Sequence, residues 1–280
     1  MPSNPTKEFF LNRYGSRIHG CYFEPNVPKG VVILVHGLGE HSGRYFERVV
    51  PMLVDCGLAV VAYDNIGHGL SSGKRGHCPG YVALLDILGE VIHQAESFFQ
   101  EQPLFLYGHS MGGNLVLNYA LRRNHQIKGI IATSPYLRLA FEPPKWKMGF
   151  GRMLLHVYPS LTMGSGLDPN GISRIPKEVE KYGSDPLVHD KVSPMFSFPI
   201  MDAGQWAIEH ASDLTVDALL LHGSGDPIID YRGTEEFHRN SRNTELQLFE
   251  GAYHELHYDL CAKEMLQTIQ NWFRQRLRQY

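Results

Sequence analysis

No window of this 280-residue chain approaches the roughly eighteen consecutive apolar residues that a membrane-spanning helix requires. Cysteine is scarce: Cys21, Cys56, Cys78 and Cys261 are scattered, without a C-x-x-C pair. That argues against a disulfide frame and fits buried thiols in a reducing compartment. Positive charge is not in excess either, since 26 Lys and Arg face 29 Asp and Glu for a net charge of -3, so nucleic acid is not the expected partner. The opening "MPSNPTKEFFLNRYGSRIHG" lacks a basic stretch followed by an apolar core and does not read as a signal peptide. Internal repeats and low-complexity tracts are also missing. A cytoplasmic chain is the expectation.

What the sequence does contain is a series of short, nearly continuous apolar runs. "VVILVHG" from Val31, "AVVAYD" from Ala59, "LFLYGHS" from Leu104, "IKGIIATSP" from Ile127, "DALLLHGSGD" from Asp217 and "ELQLFEG" from Glu245 have the character of strands buried on both faces. Helical patterns separate them, in "RYFERVVPMLVDCG", in "GYVALLDILGEVIHQAESFF" and from Asp259 to Arg278. Alternation of this kind predicts an α/β fold with a mostly parallel sheet of about eight strands. The early runs around Gly15 predict an antiparallel hairpin at the sheet edge. Residues 1–136 and 214–280 would form this core. From 137 to 213 the alternation breaks into a Pro-, Gly- and Met-rich stretch, expected to cap the carboxyl ends of the strands, where open α/β sheets bind ligands.

Three segments carry the chemistry. "GHSMGG" places Ser110 in a G-x-S-x-G pattern between a strand and a helix, the setting of a nucleophile elbow. Met111 follows, and its amide at the helix start can donate to an oxyanion. "VVILVHGLGEHSGRY" supplies a second amide, that of Leu38, after a strand ending in His36-Gly37. Serine needs an adjacent base and the base an orienting carboxylate, in the chain order serine, acid, histidine. Asp226, just past a buried run, is the acid. Asp230 competes but fits better as a helix cap. "GAYHELHYD" then offers His254 as base, while His222 ends a strand too early and reads as packed beside the site.

His254 and His257 also form H-x-x-H, with Asp259 close behind. A zinc-protease helix requires H-E-x-x-H, and no further spaced ligand group is present, so a catalytic metal is not expected. "AYDNIGHGLSSG" lacks the G-K-[ST] ending of a phosphate loop.

"HGLGEHSGRY", "GHSMGG" and "GAYHELHYD" together resemble the monoacylglycerol lipase branch of the α/β-hydrolases, a branch that also holds lysophospholipases. The similarity spans nearly the whole chain and includes "KYGSDPLVHDK" within the cap. It implies an α/β-hydrolase fold, a Ser110–His254–Asp226 triad and an oxyanion hole from the Leu38 and Met111 amides. Glu40, Arg44, Tyr182 and His257 would line the pocket for a departing glycerol, though Glu40 and Arg44 can equally brace their loop as an ion pair. His189 and Ile229 stand where the animal enzymes have reactive cysteines, so thiol sensitivity does not carry over. The expected reaction is hydrolysis of monoacylglycerols through an acyl-enzyme, without metal or organic cofactor. Lysophospholipids, short-chain or aryl esters and amino-acyl amides remain open as substrates, as does a non-catalytic hydrolase-like binding role. The cap interleaves Trp146, Met148, Phe150, Met153, Leu154, Leu155 and Met163 with Lys145, Lys147 and Arg152, a composition suited to transient contact with a membrane surface.

Overall fold

A computed structural model describes residues 5–142 and 144–279; the side chain of Lys147 lies outside the described residues. The chain opens with the expected hairpin of β1 (Lys7–Arg13) and β2 (Ser16–Phe23), antiparallel and turning at Tyr14 and Gly15. Strand β3 (Gly30–Val35) leads through α1 (Val49–Asp55) to β4 (Leu58–Tyr63), and α2 (Tyr81–Phe98) leads to β5 (Leu104–His109). α3 (Met111–Arg122) and β6 (Gly129–Thr133) follow. The next elements are α4 (Lys145–Val157), β7 (Met163–Gly164), α5 (Pro176–Ser184), β8 (Lys191–Val192) and α6 (Pro194–Glu209). β9 (Ala218–Gly223), α7 (Tyr231–Asn240), β10 (Thr244–Phe249) and α8 (Ala262–Arg276) complete the fold.

Eight strands form one sheet in the order β1-β2-β4-β3-β5-β6-β9-β10, parallel from β4 to β10. The continuous apolar runs are explained by alternation. Val31, Ile33 and Val35 of β3 pack toward α2 and α3, while Val32 and Leu34 pack on the opposite face with residues of α1 and α8. Each such side chain, taken fully out of water, contributes about 1.5–3 kcal/mol to folding. Strand order reverses between β3 and β5, whose carboxyl ends flank the crevice where an open α/β sheet places its ligand.

One helix is shorter than its apolar pattern. "RYFERVVPMLVDCG" yields a 3-10 turn at Ser42–Tyr45 and then α1 from Val49. Pro51 sits in the first turn of α1; further inside a helix it would lack its N–H bond and clash with the carbonyl four residues back.

The expected cap, 137–213, divides unevenly. α6 packs against α3, with Asn114 and Asn118 donating to the carbonyls of Ile200 and Ala203 at 3.1 and 3.2 Å, and its Phe196, Ile200 and Ala207 join the core under the sheet. Residues 172–193 are bound to the loops around the crevice by polar contacts: Arg48 to Glu178 at 2.8 Å, His41 to Asp185 at 2.9 Å, the His189 amide to the Gly39 carbonyl at 2.8 Å and the Glu255 amide to the Ile172 carbonyl at 2.7 Å. α4 is held differently. Leu154 is buried, but Arg152 reaches Asp202 of α6 at 3.1 Å with both side chains more than half exposed. Trp146, Phe150, Met153 and Val157 are exposed along α4. Among the described residues no helix is long and apolar enough to cross a membrane.

Candidate active site

β5 ends at His109 and α3 starts at Met111, so Ser110 must turn the chain in one residue. It does so at φ 54° and ψ -115°, a conformation that costs a non-glycine residue about 1–3 kcal/mol. Three backbone hydrogen bonds offset that cost. The Ser110 amide donates to the Thr133 carbonyl at 3.0 Å, and its own carbonyl accepts from Asn114 at 3.0 Å and Tyr136 at 2.9 Å. Gly112 is required for proximity: a Cβ there would collide with the Val35 carbonyl oxygen of β3. The Met111 amide, in the first helical turn, has no intrahelical acceptor, and the positive end of the helix dipole is centred there.

The crossover order then brings residues from the far end of the chain alongside Ser110. Asp226 follows β9, and its Oδ1 accepts from the amides of Ile228 at 2.8 Å and Ile229 at 3.0 Å. Its Oδ2 accepts from His254 Nδ1 at 2.6 Å and His222 Nε2 at 3.2 Å. His222 is thereby a donor at Nε2 and an acceptor at Nδ1, where the Thr234 hydroxyl lies at 2.8 Å. Asp230 caps α7 through the Arg232 amide, the role its position suggested. His254 follows β10, and its ring packs 4.8 Å from that of His109, the neighbour of Ser110.

Burial alone would push the Asp226 carboxyl up. The charge of His254 and the hydrogen bonds from His222 and His254 outweigh it and hold Asp226 far below the usual carboxylate range. Burial likewise works against a charged His254, but the Asp226 carboxylate prevails and raises it above 6.5. A histidine that must be neutral to take a proton loses function as pH falls through its raised pKa. If His254 is that base, the acid limb of a pH–kcat/KM profile should lie above that of an unperturbed histidine; a limb below it would count against His254 as the group that titrates.

The "HGLGEHSGRY" loop forms the opposite wall. Glu40 Oε1 accepts from the Gly37 amide and the Tyr45 hydroxyl, both at 2.6 Å, which fixes the turn that carries Leu38. Arg44 lies between two buried carboxylates, 3.2 Å from Glu40 Oε2 through Nε and hydrogen-bonded to Glu255 through Nη2. Its guanidinium also stacks over the Tyr182 ring at 4.7 Å. Burial and the nearby Glu40 push Glu255 up to about 7 despite Arg44. For Glu40 burial acts in the same direction, but Arg44 and His36 hold it below its ordinary value. His41 braces the same loop: it accepts from the Gly43 amide and pairs with Asp185.

Ser110, His254, Leu38, Glu40, Tyr182 and Glu255 all border one cavity of about 910 Å³, roofed by apolar cap residues that include Phe141, Trp146, Met148 and Phe150. Arg44 and His257 do not border it, contrary to the lining role implied by resemblance. His257 is fully buried behind the wall, stacked on Tyr45 at 4.8 Å, and among the described residues neither of its ring nitrogens has a hydrogen-bond partner. Asp259 is a loop fastener: it accepts from Arg174 at 2.9 Å and from the Tyr253 and Leu260 amides. Among the described residues no group of three or more His, Cys, Asp or Glu side chains is placed to hold a metal ion. Sequence reasoning missed Glu255 and His109. Each directly adjoins a residue it singled out, and adjacency to His254 and Ser110 was the available signal.

The family described as Hydrolase_4, serine aminopeptidase S33, matches residues 26–260. The monoglyceride lipase of Rattus norvegicus is 32% identical over 274 residues, 95% of this chain and 90% of the relative. This chain belongs to the monoglyceride lipase family of α/β-hydrolases. A crystal structure of the monoacylglycerol lipase of Paleococcus ferrophilus matches this hydrolase with a TM-score of 0.86 and 34% identity, covering 92% of this chain and 99% of that one. An uncharacterized abhydrolase domain-containing protein of Dictyostelium discoideum is 35% identical over 254 residues, 89% of this chain, which spans only 27% of that protein's length. The hydrolase is thus a serine esterase by family and by fold.

Proposed function

We propose that this hydrolase cleaves monoacylglycerols to a fatty acid and glycerol. The observation that carries the substrate class is the cavity itself: apolar cap side chains enclose the same space that Ser110, His254, Glu40 and Tyr182 border. The names borne by the rat and Paleococcus relatives support the same reading.

In the proposed mechanism the Ser110 hydroxyl attacks the ester carbonyl while His254 takes its proton, and Asp226 stabilises the imidazolium. The Leu38 and Met111 amides bind the oxyanion of the tetrahedral intermediate. Collapse expels the glycerol alkoxide, which His254 protonates. Water, deprotonated by His254, then attacks the acyl-enzyme and releases the fatty acid, returning the proton to Ser110. Glu40 and Tyr182 face the leaving alcohol, with Arg44 and His257 supporting that wall from behind. Residues 137–213 act as the cap. A fluorophosphonate probe should label the wild type and not Ser110→Ala. A panel of 1-oleoylglycerol, dioleoylglycerol, oleoyl lysophospholipids and amino-acyl anilides should then show highest kcat/KM for the monoacylglycerol. Equal rates across the esters, or turnover of anilides alone, would overturn the substrate assignment.

The exposed apolar side of α4 is proposed to rest on lipid surfaces that hold the substrate. Replacing Met153 and Val157, which are exposed and outside the cavity wall, by serine should weaken co-sedimentation with neutral phospholipid vesicles. Unchanged sedimentation would rule out this face.

A further inference from the structure

Resting on the monoacylglycerol reading, we infer that Glu255 sets the headgroup charge this hydrolase accepts. By occupying Arg44 together with Glu40, it keeps the polar wall acidic, so esters of neutral glycerol are taken and esters of phosphorylated glycerol are refused. The argument begins with the side chains that meet the cavity. Among the described residues that border it, the acidic ones are Glu40, Asp168, Asp190 and Glu255. The Lys or Arg bordering it is Lys191, whose ammonium lies 3.3 Å from Asp190.

An anionic headgroup needs a cation with free donors, and Arg fits phosphate best through paired N–H groups. Arg44 is the guanidinium nearest the proposed alcohol wall, and it is taken: Glu40 holds its Nε side and Glu255 its Nη2. Arg48, next along the chain, is held by Glu178 at 2.8 Å. His257 and His109 add no positive charge, because burial keeps both well below their ordinary value, and His254, which is raised, is balanced by the Asp226 carboxylate that raises it. With both carboxylates ionised, the Glu40–Arg44–Glu255 group carries one net negative charge on a wall that two of its members share with the cavity. A phosphate on the leaving glycerol would meet like charge from Glu40 and Glu255, both buried in the wall, where repulsion is poorly screened. The hydroxyls of neutral glycerol can instead donate to carboxylate oxygens on this wall without meeting like charge.

The test compares 1-oleoylglycerol with 1-oleoylglycerol 3-phosphate, which share the acyl chain and the scissile ester, in mixed micelles of one neutral detergent. At pH 8, above the value near 7 to which Glu255 is pushed, its carboxylate is ionised. The ratio of kcat/KM for the neutral over the anionic ester should fall about tenfold or more in Glu255→Gln, where the group's charge becomes zero. It should rise again in the double variant Arg44→Gln, Glu255→Gln, where one negative charge returns. A role for Glu255 in stability alone would change both rates together and leave the ratio fixed, and that result overturns the inference. Wild-type protein gives an independent measure. Glycerol should inhibit p-nitrophenyl butyrate hydrolysis about tenfold more strongly than 2,3-dihydroxypropane-1-sulfonate, a permanently charged analogue; equal inhibition also overturns it. Failure of the substrate reading has a different signature, namely wild-type enzyme that reacts with fluorophosphonate but leaves 1-oleoylglycerol intact.

Discussion

Ser110→Ala enzyme is expected to keep about one millionth of the wild-type kcat, and adding His254→Ala should lower it no further. In the proposed mechanism the two residues perform one act, since the imidazole has no proton to take once the hydroxyl is gone. Non-additivity is thus the sharper half of the result. Removing the side chain also leaves the turn intact. The hydrogen bonds that stabilise Ser110 at φ 54° are made by its backbone amide and carbonyl, so the single variant should melt close to the wild type. Rates measured on 1-oleoylglycerol, with thermal unfolding alongside, check both points. A double variant about a thousandfold slower than either single one would mean that Ser110 and His254 act independently, and the triad assignment would be lost.

Asp226→Asn is expected to lower kcat by about four orders of magnitude while leaving the fold in place. The hydrogen-bonding pattern fixes which way the amide faces. Oδ1 accepts from the Ile228 and Ile229 amides, so the asparagine oxygen must occupy that position. Its NH2 group then faces His254 Nδ1 and His222 Nε2 at the place where Oδ2 accepted from both. To meet a donor, Nδ1 of His254 must give up its proton and Nε2 must take one, and a protonated Nε2 cannot act as a base toward serine. The carboxylate that raised His254 is also gone, so what activity remains should have its acid limb at lower pH than the wild type. A variant with unchanged kcat, or with the acid limb unmoved, would refute Asp226 as the orienting acid. His222 meets the same reversed dipole, and there a tautomer switch places its proton toward Thr234, whose hydroxyl can accept as readily as donate.

The placement of Ser110, Asp226 and His254 was readable because each depends on few neighbours in sequence. G-x-S-x-G at Gly108–Gly112 encodes its own turn, and the apolar runs before Asp226 and His254 place both at strand ends of a parallel sheet. Pairing across the sheet was less accessible. Glu255 meets Arg44 across 211 positions, and no local pattern signals that the residue after His254 will turn into the wall to bind it. His257 shows the opposite failure. The resemblance implied a polar group facing the ligand, whereas stacking on Tyr45 keeps it behind the cavity wall. Asp259, at the end of a metal-like spacing, is committed to Arg174 and two backbone amides. In α1 the apolar stripe was read without regard to Pro51, whose chemistry limits how far back the helix can begin.

The unequal attachment of residues 137–213 predicts that heat acts on this molecule in two stages. Displacing α4 breaks an exposed ion pair and withdraws few buried side chains, whereas releasing residues 172–193 separates Arg48 from Glu178, a carboxylate only 7% exposed. Elements fastened so differently do not loosen together. A calorimeter should report the later event, and an assay with a long-chain ester the earlier one, because residues of α4 roof the cavity that Ser110 borders. The temperature at which this hydrolase works best and the temperature at which it melts are therefore expected to respond to different residues. Either can be shifted by substitution without carrying the other along.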